Sequence, residues 1–290
     1  PSGVPQGDHL STLLFNIFIN DLPDVIKKSE IYLFADDTKL LKIIKDNQDA
    51  TDLQSDLNNL QNWCESNDLF LNIEKCKVMR FNLIKNPIIF NYSISNSNLE
   101  FVSTFKDLGI IFDFKLNFSY HTEFIKNKAM RTLGFIKRSC NDFSDPLALK
   151  ILYYSLVRSN FDYCPLIWIN NTSKQDDNIE SVQNNFLRFI SFKFNIHRPP
   201  HGSYENILNY LDLMPLKVRR LQLLSKFLHK LISGLIDCPE LLYLINFKIH
   251  SFNTRNPELF YPVYSDKKYI INCPANQLMF AGNSFTFNFN

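Results

Sequence analysis

Glycine is scarce in this sequence, with 7 in 290 residues. So few glycines leave few places for left-handed turns or for backbone pressed against a ligand, and any cluster of them is informative. Excess charge of either sign is also missing: 31 Lys and Arg stand against 29 Asp and Glu, a net charge of +2. Bulk charge therefore gives no polyanion signal, and contact with nucleic acid would have to come from local basic patches. No apolar run reaches membrane-spanning length and no secretory signal is visible. Cys64, Cys76, Cys140, Cys164, Cys238 and Cys273 are scattered, without a CxxC pair or zinc-finger spacing. They read as reduced thiols of an intracellular protein. His197 and His201 are separated by Pro199 and Pro200, which argues against a helical metal pair.

What is present is a large apolar fraction, 45%, with 27 phenylalanines. The length allows two domains of ordinary size. The stretch Tyr32 to Leu40 organises the chain. An apolar run, Ile31 to Ala35, delivers Asp36 and Asp37, and a second apolar run, Leu40 to Ile44, follows. This reads as a tight β-hairpin with both carboxylates at its tip. Adjacent carboxylates at the end of a buried strand suit a hard divalent cation with oxygen ligands. A polar turn between strands accounts for the same residues, so at this point both readings stand.

In chain order, the Gly/Pro loop Pro1 to Gly7 runs into a helical pattern in which Leu10, Leu13, Leu14, Ile17, Phe18 and Leu22 form one buried face, with Asp8 as N-cap. The chain begins at Pro1 rather than Met, in what reads as the middle of a loop, and is expected to be part of something longer. A second amphipathic helix is expected from Asn47 to Asn67, with Leu53, Leu57, Leu60, Cys64 and Trp63 inward and Asp52, Ser55, Asp56 and Asn59 facing water. Strands are expected over Val78 to Leu83 and, after an Asn86-Pro87 turn, Ile88 to Ile94. A hairpin follows from Phe101 to Phe105 and Leu108 to Phe112. Beyond Asn117 the pattern turns helical, over His121 to Arg138, Leu147 to Arg158, Ile179 to Phe192 and Leu216 to Ile232, and the last residues read as irregular. The fold class is α+β, divided at 1–117, 118–240 and an irregular 241–290.

The ordered motifs resemble the reverse transcriptase of non-LTR, LINE-type retrotransposons, closest to jockey-like elements. Ser2-Gly3-Val4-Pro5-Gln6-Gly7 is similar to that family's motif B, Phe34-Ala35-Asp36-Asp37 to motif C, Leu71-Asn72-Ile73-Glu74-Lys75 to motif D and Leu108-Gly109 to motif E, the primer grip. Lys128 to Arg138, Ser155 to Arg158 with Tyr163-Cys164, and Ile179 to Gln183 resemble its thumb. The resemblance implies a partial polymerase palm followed by a helical thumb, extending a DNA primer on an RNA template from deoxynucleoside triphosphates. Asp36 and Asp37 would hold magnesium, with manganese as a substitute, in a two-metal displacement. Lys75 would assist the pyrophosphate leaving group, Gly3, Pro5, Gln6 and Gly7 would lie at the incoming nucleotide, and Leu108 and Gly109 would position the primer end. Lys126, Lys128 and Arg131 would contact the template-primer backbone.

The resemblance also implies segments this sequence does not include: fingers, the motif A aspartate and an endonuclease. The expectation is a polymerase segment inactive by itself, in a protein acting in nucleus and cytoplasm. A catalytically dead relic, or a module reused for nucleic-acid binding, is the alternative reading.

Overall fold

The computed structural model describes residues 9–81, 87–169, 173–197, 204–249 and 258–284. Helices and small two-stranded sheets make an α+β chain. It divides into two compact units. The first comprises 1–105 and 114–116, the second 106–113 and 117–290, so the segment before the expected boundary at 117 is shared between them.

In the first unit, α1 (His9–Phe18) leads through a 3-10 turn at Leu22–Val25 to β1 (Glu30–Phe34) and β2 (Asp37–Leu41). The expected buried face of α1 is a correction: Leu10, Leu13, Leu14, Ile17 and Phe18 are exposed, Ile17 by 64%. Leu22 is buried as expected, and with Phe15 and with Ile19 just beyond the helix it packs against Leu60, Trp63 and Cys64. The helix is apolar on both sides, and its periodicity cannot tell which stripe this chain covers.

Helix α2 (Asn47–Ser66) begins where Asp46 accepts the amide of Asp49 at 2.9 Å, while the Asp49 carboxylate accepts the amide of Lys45 at 2.8 Å. These reciprocal bonds satisfy two amides at the helix start. Asp56 does not face water as expected; it is fully buried. Its carboxylate accepts the amides of Lys27 (3.1 Å) and Lys28 (2.9 Å), pinning the chain that enters β1.

Beyond α2, β3 (Lys77–Met79) pairs in parallel with β6 (Glu100–Val102). It does not pair with the expected return strand: from 87 to 94 only β4 (Ser93–Ile94) is regular, and it pairs with β5 (Ser97–Asn98). Asn86 lies outside the described residues. The hairpin expected over 101–112 is β7 (Thr104–Asp107) with β8 (Ile110–Asp113), and Leu108 lies in its turn rather than in a strand.

The core of the second unit forms around α3 (Ser119–Ser139), α4 (Pro146–Leu152), a π-helical run at Tyr153–Arg158, α5 (Ser159–Asp162), α6 (Pro165–Trp168) and α7 (Ser173–Lys193). Asp145 caps α4 by accepting the amide of Leu147 at 2.8 Å, and Pro146 opens the helix, as expected. Ile125, Ala129, Leu133 and Ile136 of α3 meet Ile179, Val182, Phe186 and Ile190 of α7 in one cluster, and Phe186 stacks on Tyr153 with centroids 4.2 Å apart. After α8 (Glu205–Tyr210), α9 (Leu216–Ile232) starts at Pro215, which has no side-chain donor or acceptor to cap it. Glu180 of α7 supplies the cap by accepting the amide of Leu216 at 3.0 Å, and burial raises its carboxyl above the usual range. Buried Arg220 pairs with Asp176 on the same side.

The expectation of an irregular 241–290 is corrected in part. After α10 (Pro239–Tyr243), α11 (Lys268–Ile271) and α12 (Pro274–Ser284) are helical, and Pro274 occupies the first position of α12 rather than breaking it. Buried Leu278, Met279 and Ala281 of α12 share a cluster with Leu224, Leu228 and Leu231 of α9. Gly282 is the point of closest approach. A Cβ there would stand 2.6 Å from the ring of Phe260 and 2.8 Å from Leu228, and both side chains are fully buried. Gly282→Ala is therefore expected to destabilise the chain by about 2 kcal/mol despite the better helix propensity of alanine. The urea midpoint checks this, and an unchanged or higher midpoint would contradict the packing.

Candidate catalytic hairpin and nucleic-acid face

The β1–β2 register places Glu30 opposite Leu41, Tyr32 opposite Lys39 and Phe34 opposite Asp37. Ala35 and Asp36 are left as the two central turn residues. Ala35 has φ of 50°, whereas Asp36 is not among the residues with positive φ. Those signs match a type II′ turn, which suits the twist of a hairpin. The strand is not buried as expected but alternates: Ile31 and Leu33 pack inward with Leu40, while Tyr32 and Phe34 are exposed. Cross-strand partners share a face, so Asp37 stands on the solvent side with Phe34, Tyr32 and Lys39.

Both Asp36 and Asp37 are exposed. Among the described residues, neither carboxylate has a hydrogen-bond or ion-pair partner. The base of the hairpin is anchored, by contrast. Asp56 holds the amides of Lys27 and Lys28, Lys28 Nζ contacts Asp52 at 2.7 Å, and Lys42 Nζ donates to the Lys28 carbonyl at 2.8 Å. The arrangement is a fixed stem with bare carboxylates at its tip.

These hard oxygen donors fit magnesium or manganese, which bind through one or two carboxylates plus water and substrate phosphates. Among the described residues no group of three or more His, Cys, Asp or Glu side chains converges to hold a metal. The hairpin tip by itself offers two carboxylates, fewer donors than a full coordination shell needs.

Lys75 lies in the same unit, on a turn in which its backbone N–H donates to the Asn72 carbonyl at 3.0 Å. Leu71 and Ile73 anchor that turn in the core. The Lys75 side chain is exposed, and no ion pair joins it to Asp36 or Asp37. The motif B positions Gly3, Pro5, Gln6 and Gly7, like the cap at Asp8, lie outside the described residues.

In the second unit, Leu108 and Gly109 form the two-residue turn between β7 and β8, with φ of 43° and 86°. Positive φ at both positions is the type I′ pattern, which glycine adopts without strain at the second. The nearby imidazole of His121 is 2% exposed and accepts the amide of Ile111 through Nδ1 at 3.2 Å. Burial, reinforced by the positive charge of Lys106, lowers its pKa to about 4.

The basic cluster of α3 divides. Lys126 points toward α7, where its Nζ donates to Asn178 at 2.9 Å. Lys128 and Arg131 remain exposed. Arg131 instead lines an open groove along α3 with Phe124, Asn127, Met130, Gly134 and Arg138. Lys106 lies over the Phe124 ring, 5.3 Å from its centroid. Arg138 joins this face by following Arg131 at the helical i+7 spacing, a signal readable in the sequence. Glu123 is the single acidic side chain of α3.

Residues 1–136 match the family described as reverse transcriptase (RNA-dependent DNA polymerase). The RNA-directed DNA polymerase from mobile element jockey of Drosophila melanogaster is 33% identical over 139 residues, covering 45% of this chain and 15% of that protein. Its counterpart from Drosophila funebris is 32% identical over 204 residues, 66% of this chain and 22% of that protein. The probable RNA-directed DNA polymerase from transposon BS of Drosophila melanogaster is 27% identical over 201 residues, with the same coverage. The chain thus spans 15 to 22% of the length of these curated relatives. No solved structure matches significantly. With the motif order along the chain, these similarities support a reverse transcriptase domain over residues 1–136 and relatedness to jockey-like non-LTR retrotransposon enzymes.

Proposed function

We propose that the chain is the carboxylate-bearing part of a polymerase palm with the adjoining thumb helices, serving RNA-directed DNA synthesis. The observation that carries this is the pair of exposed carboxylates, Asp36 and Asp37, without a partner among the described residues, on a hairpin whose base α2 holds fixed. Such a stem presents oxygen ligands without spending them on internal contacts. Asp36 and Asp37 would hold magnesium, or manganese in its place. The bound ions would supply charge stabilisation to the attacking and leaving oxygens of an in-line displacement. Lys75 carries an exposed ammonium suited to donate a proton toward pyrophosphate, and Gly3, Pro5, Gln6 and Gly7 would border the incoming deoxynucleoside triphosphate.

The Leu108–Gly109 turn would bear on the DNA primer, and the α3 face on the backbone of the RNA–DNA hybrid. The uncovered apolar stripe of α1 and the outer face of the hairpin suit burial by the remainder of a longer polymerase, which would bring fingers and the motif A aspartate. Access to chromosomal DNA would require residence in the nucleus as well as the cytoplasm.

The nucleic-acid face is tested by titrating salt against binding of an RNA–DNA hybrid. Arg131→Ala combined with Arg138→Ala is expected to flatten the dependence of log K on log salt by about 0.7 to 0.9 for each phosphate that is no longer neutralised. Lys126→Ala should leave the slope unchanged, because its ammonium is held by Asn178. Equal slopes for wild type and the double variant would remove α3 from the interface.

A further inference from the structure

Tyr163 follows α5 and stands at a corner where the next residue, Cys164, takes a left-handed φ of 44°. Its hydroxyl donates to the carbonyl of Leu108 at 2.9 Å. Its ring edge stands 3.4 Å from where a Cβ on Gly109 would be, so the ring lies in van der Waals contact with the turn. The Tyr163 carbonyl accepts the indole N–H of buried Trp168 at 2.9 Å. The Trp168 ring lies 5.7 Å from the imidazole of His121, and His121 accepts the amide of Ile111 on β8. Leu108, Tyr163, Trp168, His121 and Ile111 thus close a ring of contacts that leaves the hairpin at its turn and returns at the following strand.

Glycine adopts the positive φ at the second position of this turn freely, whereas Leu108 is held at φ of 43° against the preference of a bulky L residue. Contacts from another element therefore help hold the turn as well as set where it points. Leu108 remains 38% exposed, so the ring does not serve to bury the tip. Tyr163, half exposed itself, adds little to the core.

We infer that Tyr163 is a positioning residue for the Leu108–Gly109 turn, fixing the place at which a primer 3′ end is held. The inference rests on the proposed reading of that turn as a primer grip. The hydroxyl sets the turn from one side and the ring sets it from the other, with Trp168 and His121 as the frame behind them.

The test uses the whole chain and two readouts. Hydrogen exchange at the Gly109 and Ile110 amides is expected to accelerate about threefold in Tyr163→Phe and about tenfold in Tyr163→Ala, on the scale of one missing hydrogen bond and then of missing packing as well. Amides of α3 from 125 to 136 should keep their wild-type rates, which separates a freed turn from general unfolding. Unchanged exchange at the turn in both variants would overturn the inference.

The second readout compares binding of an RNA–DNA hybrid with a recessed DNA 3′ end against a blunt hybrid of equal length. Wild type is expected to favour the recessed end, and Tyr163→Phe to lose that preference while binding the blunt hybrid as before. Equal, salt-dependent binding of both hybrids by wild type would leave the α3 interface standing and remove the primer role of the turn. Binding of neither would remove the nucleic-acid reading itself, and the positioning role with it.

Discussion

Replacing Asp36 and Asp37 together by alanine is expected to lower DNA synthesis by a thousandfold or more, equivalent to about 4 kcal/mol of transition-state stabilisation. The assay is primer extension on an RNA template with magnesium, in the jockey polymerase of Drosophila melanogaster carrying this chain in place of its matching segment. The size of the effect follows from the site. The two carboxylates are the anionic ligands the hairpin tip offers, and in the described residues no third acidic or imidazole group converges with them. Without them nothing on this hairpin would hold the ions that offset the charge developing on the transferring phosphate.

Folding should not share the loss. Both side chains are exposed and make no internal contact among the described residues, and surface substitutions of that kind shift stability by about 0.5 kcal/mol or less. Equal melting temperatures with abolished synthesis would therefore assign the defect to chemistry. Synthesis that survives both replacements would end the catalytic reading. The 290-residue chain alone is expected to be silent in the same assay, because a magnesium ion held by two carboxylates without further ligands binds weakly.

The sequence was most legible where local periodicity and end signals agree. Helix α9 runs over the expected residues, Leu216–Ile232, because Pro215 sets its start and a leucine stripe marks its inner face. The α3–α7 seam was legible for the same reason. Where periodicity was ambiguous it misled: α1 is apolar on both sides, and Phe15 packs with Ile19 and Leu22 beyond its end while Leu10, Leu13, Leu14, Ile17 and Phe18 are exposed.

Long-range polar pairing left no local trace. Asp56 looks like a solvent-facing helix residue until Lys27 and Lys28 bring their amides to it. Lys126 reads as a free basic side chain of the α3 face, yet its Nζ donates to Asn178 of α7. The parallel partner of β3 comes from beyond two intervening strands, so proximity in sequence suggested the wrong neighbour. The Asp36–Asp37 hairpin of the first unit and the Leu108–Gly109 turn of the second were each readable as motifs. Tyr163, Trp168 and His121 were not assigned to that turn, because only the folded chain brings the three together.

His121 makes the ring around that turn sensitive to pH. As the acceptor of the Ile111 amide it must be neutral at Nδ1, and burial with the nearby charge of Lys106 lowers its pKa from 6.5 to about 4. The folded state thus resists a proton that the unfolded chain takes up near pH 6.5. Above that pH the full stability is present. As pH falls from 6.5 toward 4 it declines at up to about 1.4 kcal/mol per unit, or about 3 kcal/mol in all, and below 4 this contribution is flat. His121→Gln offers a carbonyl as acceptor but cannot titrate. Urea unfolding across pH 7 to 4 should therefore show wild type losing about 3 kcal/mol more than the variant. Parallel pH profiles would mean that the imidazole is not held neutral by its surroundings. Hydrogen exchange at Gly109 and Ile110 over the same range gives the local counterpart. In wild type, exchange corrected for its intrinsic pH dependence should quicken as His121 is protonated, because a protonated ring can no longer accept from Ile111 and the frame behind Tyr163 opens.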